Sequence, residues 1–170
     1  MTRRLGFFYI FLLYMSYTIL GRPLWHTPKK LISFKTDGVR GDSSKQVFDI
    51  YTISHITHGI LFFYFFRYLK TNINTALYGT IILETIWEIF ENSPFIINKY
   101  RSKKEYKFYQ GDSIVNIIGD ILATILGFYF AYKSPYSAFI FIIITEILLL
   151  PFHASLLQLS IGSLLIQGKK

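Results

Sequence analysis

Five stretches of this chain are apolar over fifteen to twenty-one residues, and polar, mostly basic connections separate them. They run over residues 5–20, 49–69, 74–91, 112–132 and 136–150. A helix rises 1.5 Å per residue, so about 20 apolar residues cross a bilayer core. The pattern therefore predicts an all-α membrane protein, a single integral membrane domain built as a bundle of five or six hydrophobic helices. The first stretch follows Arg3 and Arg4, as a signal peptide would. No small-residue cleavage pattern comes after it, so an uncleaved first helix is expected. Residues 21–48 and 92–111 read as two long basic loops on one membrane face, made irregular by Pro23, Pro28, Gly38, Gly41 and Ser93-Pro94. Asn72–Thr75 and Lys133-Ser134-Pro135 read as turns, and Pro151 is expected to end or kink the fifth helix. Residues 154–167 are apolar but short, and form a half-helix, a re-entrant segment or a continuation of the fifth span.

Polar side chains interrupt the second, third and fourth stretches at helical spacing. His55 and His58 are i, i+3; Glu84, Glu88 and Glu91 are i, i+4, i+7; Asp112, Asn116 and Asp120 step by four. Each set shares one helix face. Counted from the face of the long loops, His55 and His58 lie roughly 9 and 13 Å deep, and Glu84 and Asp120 roughly 12 Å. Three helices are thus expected to bring ionisable groups to one depth in one leaflet. A charge near the bilayer centre costs about 2.5–3.5 kcal/mol on insertion scales, so such groups need a ligand, a counter-charge or a proton. A divalent metal held by His55, His58, Glu88 and Asp120 answers that need, with Glu84 or Glu91 as catalytic base. Asp112, Ser113 and Asn116 would orient substrate or the groups behind the ligands.

Each residue also has a plainer reading. A histidine in a membrane helix is more often packed or hydrogen-bonded than metal-bound, and a lone glutamate there is often protonated and bonded to a neighbour. Glu91 and Asp112 lie near the interface, where they could only solvate helix ends, and Asp112 suits a helix N-cap. Glu146 and His153, seven residues apart, read as structural or accessory. Trp25, Trp87 and the tyrosines read as interfacial or packing residues, and Gly119 and Gly127 as points of close helix approach.

Composition narrows the classes. Hydrophobic residues make up 52% of the 170, mean hydropathy is +0.37, and the net charge is +8. The positive residues flank apolar runs, so membrane lipids are the expected partners and nucleic acid is not. The chain has no Cys, which excludes disulfides and thiolate ligands. Most of the basic residues lie on the long-loop side, which would be cytoplasmic by the positive-inside rule; Arg3 and Arg4 argue the other way.

The stretches SKQVFDIYTISHITHGILFFYF, ETIWEIFENSPFIINKYR and YQGDSIVNIIGDILATILGFYFA resemble uncharacterised protein family 0314, also known as domain of unknown function 2585. The resemblance runs from about Trp25 to Ala131. It implies a multi-pass protein of the bacterial plasma membrane and no established activity. The order of His, then Glu, then Asp/Asn with Gly on successive helices is more loosely similar to VanZ-like proteins. The leading expectation is a metal-dependent hydrolase or transferase acting on a lipid-linked or headgroup substrate. Two alternatives stand beside it: a transporter or proton pathway using the same acids, and a structural or assembly protein without catalysis. The polar groups crowd toward one face, and LFFYFF, ALYGTII and ATILGFYF on the other side are nearly devoid of them, which favours a one-sided site.

Overall fold

The computed structural model describes residues 21–26, 31–34, 44–102, 107–152 and 155–156. These form five α-helices: α1 (Thr52–Tyr68), α2 (Ile73–Glu91), α3 (Pro94–Arg101), α4 (Ile114–Lys133) and α5 (Pro135–Leu149). A 3-10 turn, Leu150–Phe152, carries Pro151 and ends α5 as the proline predicts. Among the described residues the only extended pairing is an isolated parallel bridge, Ile32 with Phe48. The first apolar stretch, His153 and most of residues 154–167 lie outside the described residues.

The sequence spans for α1, α2, α4 and α5 match the helices to within a few residues. α3 is different, because it stands inside what the sequence marks as an irregular basic loop. Its start is well specified locally. Ser93 accepts from Ile96 N, Pro94 occupies the first turn, and Lys99 and Arg101 sit in the last turn, where they favour the negative end of the helix dipole. Ile96, Ile97 and Tyr100 then bury one face against Tyr109. Ser93→Ala is expected to cost about 1 kcal/mol by removing this cap, read as a lowered melting midpoint with the other helices intact.

Two helical segments, Ile114–Lys133 and Pro135–Phe152, are long and apolar enough to cross a membrane. α1 has 17 residues with two histidines, and α2 carries three glutamates; neither combines the length and apolarity of those two. α5 exposes Phe139, Ile140, Ile143, Ile144, Ile147 and Leu148, an apolar surface unlike that of an ordinary soluble helix.

The chain divides into two compact units, one from Met1–Phe48 and Thr85–Gly119, the other from Asp49–Glu84 and Asp120–Lys170. In the second unit Ile60, Phe63, Ala76, Phe128, Ala131 and Ala138 make the core. α1 and the later part of α4 meet backbone to backbone. A Cβ on Gly59 would fall 1.9 Å from Thr124 O, and one on Gly127 would fall 2.0 Å from Ile56 O. The Thr124 hydroxyl donates to His55 O at 3.0 Å, fastening the same contact beside the histidine. In the first unit, Gly119 approaches Val47 O in the same way, and the α3 cluster forms the apolar centre.

Candidate functional site

Helix α1 is fixed at its start by reciprocal local bonds. Thr52 Oγ1 accepts from Asp49 N at 2.9 Å, and Asp49 Oδ1 accepts from Tyr51 N at 2.8 Å. One turn on, His55 and His58 lie on one face with their ring centroids 5.2 Å apart. Both rings turn Nδ1 toward Glu84 of α2. His55 Nδ1 is 2.5 Å from Glu84 Oε1, and His58 Nδ1 is 3.0 Å from Oε2. Glu84 is fully buried, His55 is buried and His58 partly so. On the far side of His55, Nε2 stands 3.8 Å from Asp120 Oδ2 of α4, and Asp120 Oδ1 accepts from Thr52 Oγ1 at 3.4 Å.

The order Asp120, His55, Glu84, His58 is therefore a continuous buried row of ionisable groups. His55, His58 and Glu84 form a group that could hold a metal ion. A carboxylate that accepts both Nδ1–H groups fixes each imidazole's tautomer and leaves each Nε2 available, the arrangement by which carboxylates orient metal-bound histidines. The 3.8 Å between His55 Nε2 and Asp120 Oδ2 is too long for a hydrogen bond. It matches the separation of two ligands that share one cation at about 2.1 Å each.

The other sequence-derived candidates belong to the first unit. Glu88 is buried there, one helical turn beyond Glu84 along α2. Glu91 accepts from the Tyr100 hydroxyl at 3.4 Å. Asp112 does not cap α4. Its Oδ2 accepts from Asn92 Nδ2 at 2.6 Å, its own N–H donates to Asn92 Oδ1 at 2.7 Å, and Oδ1 accepts from Tyr109 OH at 3.1 Å. Burial and the adjacent Asp112 charge push the Tyr109 phenol well above its ordinary pKa, which keeps it a donor. Ser113 is the cap instead, its Oγ accepting from Asn116 N at 3.3 Å. The shorter serine reaches the first-turn N–H while Asp112 is engaged by Asn92. Ser113 and Asn116 are both buried.

A family of proteins described as Protein of unknown function (DUF2585) matches residues 17–166. The chain belongs to this family. It is 41% identical over 96 residues to a UPF0314 protein of Brucella anthropi, covering 55% of this chain and 49% of that one. It is 34% identical over 123 residues to a UPF0314 protein of Paracoccus denitrificans, covering 71% of this chain and 59% of the relative. The chain thus spans about half the length of the curated relatives it matches. The looser likeness to VanZ-like proteins is not shown by these matches. No solved structure matches.

For this DUF2585 chain, the sequence reading passes over three threonines around the row. Thr52 bonds Asp120, Thr124 bonds the His55 carbonyl, and Thr80, fully buried, stands one turn before Glu84 on α2. Their signal is present in the spacing: Thr52 is i−3 to His55, Thr80 is i−4 to Glu84, and Thr124 is i+4 to Asp120.

Proposed function

We propose that this protein is a multi-pass membrane protein whose buried His/Glu/Asp row holds a divalent metal and hydrolyses or transfers a group on a lipid-linked or headgroup substrate. The observation that carries the reading is the convergence of two imidazole Nδ1 atoms on the one buried carboxylate of Glu84. Two nitrogen donors with carboxylates suit Zn²⁺, Fe²⁺ or Mn²⁺. A cation so placed would supply an acidified water at neutral pH. His55, His58 and Asp120 are the proposed ligands in the second unit, and Glu84 positions the two histidines. Glu88 as a further ligand and Glu91 as a base keep only their sequence support, since both belong to the first unit. The apolar exposure of α5, and the apolarity of α4, support the membrane setting. The plasma-membrane location rests on the family's bacterial relatives.

One observation favours a second reading. The direct contacts at 2.5 and 3.0 Å would also carry a proton along Asp120, His55, Glu84 and His58 without any metal. Metal analysis of the purified protein separates the two. Stoichiometric transition metal is expected in the wild type and its loss in His58→Ala, with the helical circular dichroism unchanged. Wild-type protein that never retains metal, even after refilling with Zn²⁺ or Mn²⁺, sinks the metal reading and leaves the proton row.

A further inference from the structure

Three short stretches of the first unit are tied together by main-chain hydrogen bonds. Ile114 N donates to Pro23 O at 3.0 Å, Val115 N to Leu24 O at 3.2 Å, and Ser113 N to Ser44 O at 3.1 Å. These bonds set residues 22–26 and 44–46 beside the start of α4. Gly111 holds the approach with φ at +84°, and the Arg22 guanidinium lies where a side chain on Gly111 would go. Arg22 donates there to the Gln110 carbonyl.

This junction gathers four buried side-chain atoms that have no hydrogen-bond partner: Trp25 Nε1, His26 Nε2, Asn116 Nδ2 and Gln46 Oε1. Asn116 is 1% exposed and Gln46 4%. Buried polar groups are nearly always satisfied, so a cluster of orphans on bonded neighbouring segments points to a polar guest. Trp25 and Asn116 can only donate through these atoms, Gln46 Oε1 can only accept, and His26 Nε2 can do either. The first-turn N–H groups of α4 are already engaged, so the groups offered are side chains and not the helix end. The surroundings are mainly positive. Burial, then Lys45 and Arg22, hold His26 below the ordinary histidine pKa, against the opposing pull of Asp112 and a bond to the Gly111 backbone. Asp112, the nearby anion, accepts from Asn92 and Tyr109.

We propose that this junction binds a protonated phosphate group. Its oxygens accept from Trp25 Nε1, Asn116 Nδ2 and His26 Nε2; its remaining P–OH donates to Gln46 Oε1; Arg22 and Lys45 balance its charge. The single acceptor among the donors is the discriminating feature. Phosphate carries a proton at neutral pH and sulfate does not, so the junction selects phosphate. The group could belong to a lipid headgroup or to free phosphate, and both carry this chemistry. The inference stands apart from the metal reading, since none of its residues is a proposed ligand.

The test uses the full chain in phosphatidylcholine nanodiscs. One arm titrates inorganic phosphate and then sulfate by calorimetry. The other adds phosphatidic acid to the discs and follows Trp25 emission in a Trp87→Phe background. Saturable phosphate binding, at least tenfold tighter than sulfate, identifies free phosphate as the guest; a saturable response to phosphatidic acid alone identifies the headgroup. Asn116→Leu, nearly isosteric, should weaken binding at least tenfold while leaving the empty protein as stable or more so, because it removes an orphan donor. Gln46→Met should erase the preference over sulfate, and it decides the matter if Asn116→Leu fails to fold. His58→Ala should leave phosphate binding unchanged whatever it does to metal. No response to either phosphate source, or equal binding of phosphate and sulfate, overturns the proposal and leaves the orphan groups to buried water.

Discussion

Glu84→Ala is expected to abolish metal retention and to lower stability by about 3–5 kcal/mol, the usual cost of removing one partner from a buried ionic cluster. The carboxylate is the common acceptor for His55 Nδ1 and His58 Nδ1, and it is fully buried. Without it two imidazoles lose their partner at once, in a place where water does not readily replace it. Glu84→Gln tests the charge separately, since the amide keeps the shape but offers one oxygen acceptor to two rings. Metal content by elemental analysis and the thermal midpoint in detergent are the two readouts. An apolar replacement of the whole group, His55→Leu, His58→Leu and Glu84→Met together, should recover much of the stability while holding no metal, because buried ion clusters seldom outperform well-packed apolar residues. Glu84→Ala protein that keeps both its metal and its midpoint would end the assignment of Glu84 as the residue that sets both rings.

Gly59→Val is expected to leave no folded protein in detergent extracts. Even a bare Cβ at this position would sit 1.9 Å from Thr124 O and 2.7 Å from Phe128 N, and both atoms belong to the α4 backbone. A flexible side chain could swing away, whereas a helix backbone must move as a body. The cost therefore exceeds the about 1–3 kcal/mol typical of core overpacking. Gly127→Ala should act in the same direction through the Ile56 carbonyl, 2.0 Å from its would-be Cβ. Both changes displace the segment that holds His55 against Asp120, so metal content should fall with the fold. Leu126→Ala on the exposed side of α4 is the control and should stay within about 0.5 kcal/mol of wild type. Wild-type midpoints for Gly59→Val would mean that α1 and α4 do not meet at this glycine.

The helices themselves were readable from apolar length and the punctuation between runs. Asn72, for example, stands before α2 and accepts from Thr75 N at 2.9 Å, where the sequence places a turn. α3 was hidden by its basic composition, although Ser93-Pro94 is a sound helix start. That pair reads as a loop signal until the neighbouring burial of Ile96, Ile97 and Tyr100 is known. The ionisable residues were visible for a related reason: charged groups at helical spacing stand out in an apolar background. The spacing could not distribute roles among them. It treats Glu84, Glu88 and Glu91 alike, while the fold gives Glu84 to two histidines and Glu91 to a tyrosine.

From the sequence alone come the family, the helical class, the apolar runs and the short list of residues able to do chemistry. These follow from composition and from periodicity along one chain. Tertiary structure decided that Asp112 serves Asn92 rather than α4, that Glu84 joins His55 to His58, and that Gly59 and Gly127 let two backbones touch. Such facts depend on which distant segments meet and at what rotation about their axes. A one-dimensional pattern specifies the face of a helix but not the partner that face will find.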